Sequence, residues 1–138
     1  MFTSIMVPVD LRHPKQMERS LQVAADLARL YEGTVTYAAV AAATPGALAH
    51  NPAEFAAKLA DFAGEQANTH GIKTATRPII SHDPTADLDD HLLEAASEVS
   101  ADLVVMATHM PNITDYIWPS HGGRLAAHAV CSVLLVRG

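Results

Sequence analysis

Asp102-Leu-Val-Val-Met-Ala107, followed by Thr108-His109-Met110-Pro111, is the stretch that decides the fold. The first six residues form an apolar run typical of a strand buried on both faces of a parallel sheet. A loop then leads to Pro119-Ser120-His121-Gly122-Gly123, a short helix over about 121–129 and a last strand, Cys131–Arg137. A helix that starts with small residues behind a strand is where α/β proteins bind phosphate, because its first N–H groups are unpaired and carry partial positive charge.

Strand and helix signals alternate over the rest of the chain. Apolar and β-branched runs predict strands over Phe2–Val9, Thr34–Val40 and Ile72–Ile80. Apolar residues at helical spacing predict three intervening helices: Met17, Leu21, Ala24, Ala25 and Ala28 between Lys15 and Glu32, Phe55, Leu59 and Phe62 between Pro52 and about His70, and Leu88, Leu92, Ala95 and Val99 in the third.

Glycine and proline mark the ends of these elements. Gly33 and Gly71 follow the first two helices and are expected to cap them, since glycine adopts the left-handed conformation without strain. Pro78 has no N–H for a neighbouring strand, so we expect the third strand to be irregular or at an edge of the sheet. His82-Asp83-Pro84 predicts a turn before the third helix.

The alternation predicts an α/β fold with one doubly wound, five-stranded parallel sheet and helices on both faces. In the strand order 3-2-1-4-5, the order reverses between the first and fourth strands. Ligands of such sheets bind beyond the carboxyl ends of the strands at that reversal. Pro8-Val9-Asp10 and Ala107-Thr108-His109 are expected there.

Length and composition predict a single domain over residues 1–138 in the cytoplasm. The charged fraction of 17% is low and favours an oligomer, because a monomer would leave much apolar surface exposed. A net charge of −6 argues against nucleic acid as a partner. No signal segment or membrane-length apolar run is seen, so no membrane association is expected. The single cysteine, Cys131, excludes an internal disulfide and a cysteine-based metal cluster.

Three segments carry a resemblance to a known family: Ile5-Met-Val-Pro-Val-Asp10, Asp83-Pro84 before a helix, and Ala127-His-Ala-Val-Cys-Ser-Val-Leu-Leu-Val-Arg137. Their order and spacing resemble the universal stress protein A family over essentially the whole chain. The resemblance implies a Rossmann-like fold of the adenine nucleotide alpha hydrolase type. It also implies a homodimer in which the final strand, Ser132–Val136, pairs with its copy across a two-fold axis.

The phosphate-binding glycines of that family are altered here. Members that bind ATP carry Gly-x-x-Gly, nine further residues, and then Gly-Ser or Gly-Thr. The three glycine positions fall on Ala107, Met110 and Pro119, and the loop is one residue shorter, as in a short-loop branch of the family. Pro119 has no N–H, and Met110 places a side chain where a phosphate needs bare backbone. The apolar wall still suits an adenine ring.

The resemblance and the strand reversal together imply weak binding of an adenine nucleotide, ATP or AMP. The expected binding residues are Pro8, Val9, Asp10, Val40, Met106, Ala107, His109, Met110, Ser120, His121 and Gly122. Two of them have a local alternative. Asp10 is either a ligand-facing carboxylate or a turn aspartate that accepts nearby N–H groups. Ser120 is either a phosphate contact or only the N-cap of the last helix.

The sequence shows no sign of catalysis. It has neither a Gly-x-Ser-x-Gly elbow nor a Gly-x-x-x-x-Gly-Lys-Ser/Thr loop. His109, His121 and His128 have no carboxylate or thiolate at metal-ligand spacing beside them, so no metal is expected. We expect a stress-response sensor or accessory protein without significant catalysis. The alternatives are a dimeric interaction module whose vestigial pocket binds no nucleotide and, less favoured, a small hydrolase or nucleotidyl transferase.

Overall fold

The computed structural model describes residues 1–42, 49–82, 84–109 and 129–137. Within them lies the five-stranded sheet that the sequence predicts, in the order β3-β2-β1-β4-β5, with parallel pairing throughout. The strands are β1 Ser4–Pro8, β2 Thr34–Ala42, β3 Lys73–Ser81, β4 Leu103–His109 and β5 Ser132–Arg137.

Three α-helices and one short 3-10 helix connect the described strands: the 3-10 helix Pro14–Met17, α1 Glu18–Tyr31, α2 Pro52–His70 and α3 Pro84–Glu98. The chain moves from β1 outward to β3 and then returns across the sheet to β4. Right-handed crossovers in opposite directions place helices on opposite faces of a sheet, which gives the doubly wound arrangement. The helix expected at about 121–129 lies outside the described residues.

The core contains the apolar positions that the periodicity singles out. Ile5, Met6 and Val7 of β1 are fully buried, as are Leu88 and Leu92 of α3. Strands with such continuous burial need cover on both faces. Pro78 lies in β3, which forms one edge of the sheet, so its edge prediction is confirmed.

The left-handed cap expected at Gly33 lies one residue earlier, although the Gly33 N–H still donates to the Ala28 carbonyl at 2.9 Å, and Gly33 has a further role. Glu32 takes the left-handed conformation at the end of α1, with φ of 55°, and its N–H bonds to the carbonyl of Ala28. A Cβ on Gly33 would lie 2.7 Å from the Phe2 carbonyl oxygen. Gly33 therefore allows the backbones to approach closely as the chain enters β2. Gly71 does cap α2 as expected, with φ of 63°.

Asp102 links the amino ends of β1 and β4 through hydrogen bonds. Its carboxylate accepts hydrogen bonds from the N–H of Thr3, at 2.9 Å, and from the N–H of Ser4, at 3.2 Å. The N–H of Asp102 donates in turn to the Ser4 carbonyl at 2.9 Å. These bonds hold the two central strands together at the end opposite the expected site.

Among the described residues, none of the helices is both long and apolar enough to cross a membrane.

Candidate functional site

The candidate site is a crevice between the carboxyl halves of β1 and β4. The described pairing of these two strands consists of Ile5 with Leu103 and Met6 with Val104. Beyond that point β1 continues to Pro8 and β4 to His109. β1 stays paired with β2 as far as Pro8 and Ala38. The described β1–β4 ladder therefore ends before the carboxyl ends of both strands, at the reversal of strand order, which is where sheets of this kind bind ligands.

The β1 side of the crevice consists of two apolar residues followed by an aspartate. Pro8, Val9 and Asp10 are all buried. The N–H of Val9 donates to the Ala38 carbonyl at 2.8 Å and keeps the chain against β2. Val40 lies two residues beyond Ala38 and is partly exposed. The structure thus brings these four predicted site residues to one end of adjacent strands.

The β4 side carries a backbone irregularity. Met106 and Ala107 are buried. Ala107 pairs with Val136 of β5 and His109 with Arg137, so Thr108 is an extra residue and the register shifts there. Bulges of this kind locally bend a strand and redirect its side chains, and they are frequent beside binding sites. The structure describes the backbone of His109 but not the position of its side chain.

Asp10 is held by Arg12. The Asp10 Oδ1 accepts from the backbone N–H of Arg12 and from its Nε, both at 3.0 Å. The Asp10 Oδ2 accepts from Arg12 Nη2 at 2.8 Å. The Asp10 side chain is 7% exposed, whereas that of Arg12 is 43% exposed. The local turn role of Asp10 is therefore present in the structure, and its role toward a ligand stays a prediction.

The short 3-10 helix and the residue before it contact the backbone of Asp10. The Asp10 N–H approaches the buried Met17 Sδ at 3.4 Å, and the Asp10 carbonyl accepts from the His13 N–H at 3.0 Å. Met17 is 1% exposed and anchors the 3-10 helix in the core. These contacts fix the backbone of Asp10 just beyond the end of β1, while Arg12 holds its carboxylate.

The sequence patterns did not single out three polar residues: Arg12 and Ser81, at the carboxyl ends of strands, and Asp89 in α3. Ser81 ends β3 and Asp89 lies early in α3. Both are almost fully buried, and both have interaction partners. Asp89 precedes Leu92 by three residues, so the apolar stripe of α3 contains it, and helical spacing alone could have found it. The Asp-x-Arg spacing, typical of an Asx turn, could have indicated Arg12.

A model of the universal stress protein family matches residues 1–137. The chain belongs to the universal stress protein family. It is similar to universal stress protein G of Salmonella typhimurium, with 26% identity over 148 residues, 99% of this chain and 100% of that protein. The family that the sequence resembles is thereby confirmed.

Solved structures of the universal stress protein family share the fold. One, crystallised in complex with cAMP, has a TM-score of 0.70 at 21% identity and aligns over 98% of this chain and 97% of its own. Another, from Archaeoglobus fulgidus in complex with dAMP, has a TM-score of 0.65 at 20% identity over 97% of both chains. These likenesses confirm the Rossmann-like architecture.

Part of the site expected of a universal stress protein falls outside the described residues. Met110, Ser120, His121 and Gly122 lie there, together with the loop that replaces the family's glycines. In the ranges that the structure describes, no three His, Cys, Asp or Glu side chains are arranged to hold a metal ion.

Cys131, just before β5, is poorly suited to act as a nucleophile. Burial is the main cause that raises the pKa of its thiol, and the nearby Asp102 carboxylate raises it further, against a backbone hydrogen bond that lowers it. A raised pKa keeps the sulfur protonated, and the thiol is much less nucleophilic than the thiolate.

Proposed function

We propose that this universal stress protein is a homodimer that binds an adenine nucleotide, ATP or AMP, in the crevice between β1 and β4. It would act as a sensor or accessory protein of the stress response and would not turn its ligand over. The end of the β1–β4 ladder at Met6 and Val104, together with the carboxylate of Asp10 that Arg12 holds just beyond β1, carries this proposal.

The described residues supply the two features that a nucleoside needs. Val9, Met106 and Ala107 are buried apolar residues at the carboxyl ends of β1 and β4, and an adenine ring that packed against them would gain from leaving water. Asp10 supplies carboxylate oxygens at the rim, which can accept hydrogen bonds from ribose hydroxyls. Two related proteins, one with bound cAMP and one with bound dAMP, share this fold and support an adenine nucleotide as the ligand.

Isothermal titration calorimetry with AMP and ATP tests the binding. We expect Asp10→Asn to weaken binding about tenfold or more, because hydrogen bonds to a charged group contribute about 1.5–3 kcal/mol. Asp61→Asn makes the same charge change at an exposed position of α2 and should leave the affinity unchanged. Nucleotide released from the denatured protein would give independent support.

The alternative, an interaction module with a vestigial pocket, predicts different results. No nucleotide would be released on denaturation, and millimolar AMP or ATP would leave the melting temperature unchanged. A bound ligand at about a hundred times its Kd stabilises by about 2.7 kcal/mol, so an unchanged melting temperature would contradict nucleotide binding.

The absence of turnover is a separate part of the proposal. Incubation with ATP should release no phosphate above the level of a buffer control. Robust release that Asp10→Ala or His109→Ala abolishes would instead identify a hydrolase.

The two edges of the sheet support dimerisation through β5. On the outer edge of β3, Pro78 offers no N–H, and its carbonyl accepts from Arg77 Nη1 at 2.9 Å. Arg77 also pairs with Glu98 of α3. β5 forms the other edge, and Leu134 and Leu135 there are 37% and 39% exposed. An apolar edge strand is stable in solution when it is covered or paired.

A pair of leucine variants tests the dimer. Leu134→Lys combined with Leu135→Lys should give a monomer in sedimentation experiments at micromolar concentration, because like charges would face each other across the two-fold axis. Leu30→Lys changes another exposed leucine, on α1, and should leave the dimer intact. A wild-type monomer would contradict the assembly.

A further inference from the structure

Arg12 lies two residues after Asp10, beyond the carboxyl end of β1, and its paired guanidinium is partly exposed to solvent. Its backbone N–H and guanidinium contact Asp10, yet 43% of its side chain is exposed. A group that served only to support Asp10 would gain from being buried with it. Arg12 is instead the solvent-facing member of the pair.

The charges around the crevice make a cation at this place necessary for an anionic ligand. The Asp10 carboxylate is buried just beyond the carboxyl end of β1, and the whole chain carries a net charge of −6. Both charges oppose the approach of a phosphate. The family's usual solution, bare backbone N–H groups, is weakened in this sequence, since Met110 and Pro119 replace two of the glycines.

A guanidinium binds carboxylates and phosphates through the same planar arrangement of N–H donors, which can contact two oxygens at once. A phosphate monoester carries about −1.5 to −2 charge at pH 7, more than the single charge of a carboxylate. A phosphate that reaches Arg12 can therefore compete with Asp10 for the same Nε and Nη2 donors. Release of Asp10 would leave its oxygens available to the ribose.

Building on the proposed nucleotide site, we infer that Arg12 recognises the nucleotide phosphate by exchanging Asp10 for it. Arg12 thus selects phosphorylated adenosine over the free nucleoside. In the structure the same guanidinium N–H groups hold Asp10 and offset its charge. The two roles alternate, so phosphate recognition by Arg12 and ribose recognition by Asp10 reinforce each other.

Calorimetry with AMP and adenosine on Arg12→Ala tests this inference. The wild-type protein should prefer AMP over adenosine. Arg12→Ala should lose about ten- to hundredfold in AMP affinity, the range expected for lost hydrogen bonds to a charged group. Its adenosine affinity should stay the same or rise, because Asp10 is then released. Lys73→Ala makes the same charge change at the amino end of β3, the opposite end of the sheet, and should change neither affinity.

Two further variants separate recognition from support. If Arg12 served only to position Asp10, Arg12→Ala would weaken AMP and adenosine equally, and the inference would be wrong. Arg12→Lys keeps the positive charge but lacks the planar pair of N–H donors, so it should retain an intermediate preference for AMP. Asp10→Asn should weaken adenosine binding while the preference for AMP persists.

The outcomes also distinguish this inference from the proposed function. If the wild-type protein binds neither AMP nor adenosine, nucleotide binding itself is refuted, and the role of Arg12 with it. If it binds both equally well, the crevice is a nucleoside site and only the role of Arg12 is refuted. Circular dichroism and melting curves confirm that each variant is folded.

Discussion

Replacing Tyr37 with phenylalanine should stabilise the protein. Tyr37 lies in the middle of β2 and is fully buried, with its ring edge-on to Phe62 at a centroid distance of 5.3 Å. Among the residues that the structure describes, its hydroxyl oxygen has no hydrogen-bond partner. Tyr37→Phe keeps the ring and its contact with Phe62 and removes only the buried hydroxyl.

The expected gain follows from the cost of an unsatisfied polar group. Burying a hydroxyl without a partner costs about 1–3 kcal/mol, and phenylalanine avoids that cost. For a chain of this length, the melting temperature should rise by about 3 °C for each kcal/mol gained. Urea unfolding followed by circular dichroism measures the change. Tyr31→Phe, at a partly exposed tyrosine on α1, should change the free energy of unfolding by less than about 0.5 kcal/mol.

The pH dependence gives a second test of Tyr37. Burial raises the pKa of its phenol in the folded state. Above pH 10 the tyrosine of the unfolded chain ionises while the folded one stays neutral, so the wild type loses stability as pH rises. The advantage of Tyr37→Phe should be constant below pH 10 and grow by about 1.4 kcal/mol per pH unit above it.

A destabilised Tyr37→Phe would refute this reasoning. The hydroxyl would then have a partner in solution. The neighbouring candidate is Gln66, one turn beyond Phe62 on α2, whose Oε1 is also buried without a partner among the described residues. Gln66→Met would then remove the same stabilisation, and the double variant would lose no more than either single one.

Three further predictions concern the frame of the sheet. Asp102→Ala should lower the free energy of unfolding by about 1–2 kcal/mol in urea titrations, because its carboxylate bonds to the start of β1 are lost; an unchanged midpoint would contradict their role. Gly33→Ala should destabilise by about 1–3 kcal/mol because its Cβ would overlap the backbone before β1, whereas Gly64→Ala, in open space within α2, should stabilise by about 0.5–1 kcal/mol, and melting curves with the opposite order would refute both assignments. Pro78→Thr restores an N–H to the outer edge of β3 and should produce species larger than the wild type in sedimentation experiments, while an unchanged mass would mean that the Arg77 contact alone protects that edge.

Burial explains why the fold could be predicted from the sequence. The apolar run of β4 and the leucine stripe of α3 correspond to buried strand and helix positions, because periodicity reflects which side chains leave water. The position of the candidate crevice followed from the strand order. The chain direction at each strand end is a property of the topology and needs no side-chain detail.

Contacts between distant residues explain what could not be predicted. Local rules predict the left-handed cap of α1 at Gly33, but Glu32 takes it, and a glycine is needed at position 33 because Phe2 and Thr3, just before β1, approach it closely. The engagement of Asp10 by Arg12 depends on rotamers that spacing does not specify. Helical spacing places Asp89 within the apolar stripe of α3 and so predicts its burial, but it does not reveal which group satisfies the buried carboxylate.

The way β1 and β4 are joined affects how fast a ligand can enter. Asp102 holds the strands together at one end, while their described ladder stops after Met6 and Val104. A ligand that binds beyond the end of this ladder has no hydrogen bond of the described β1–β4 ladder to break. Its association rate should therefore show the shallow temperature dependence of diffusion. The steep activation enthalpy expected when interstrand hydrogen bonds must break before binding should be missing.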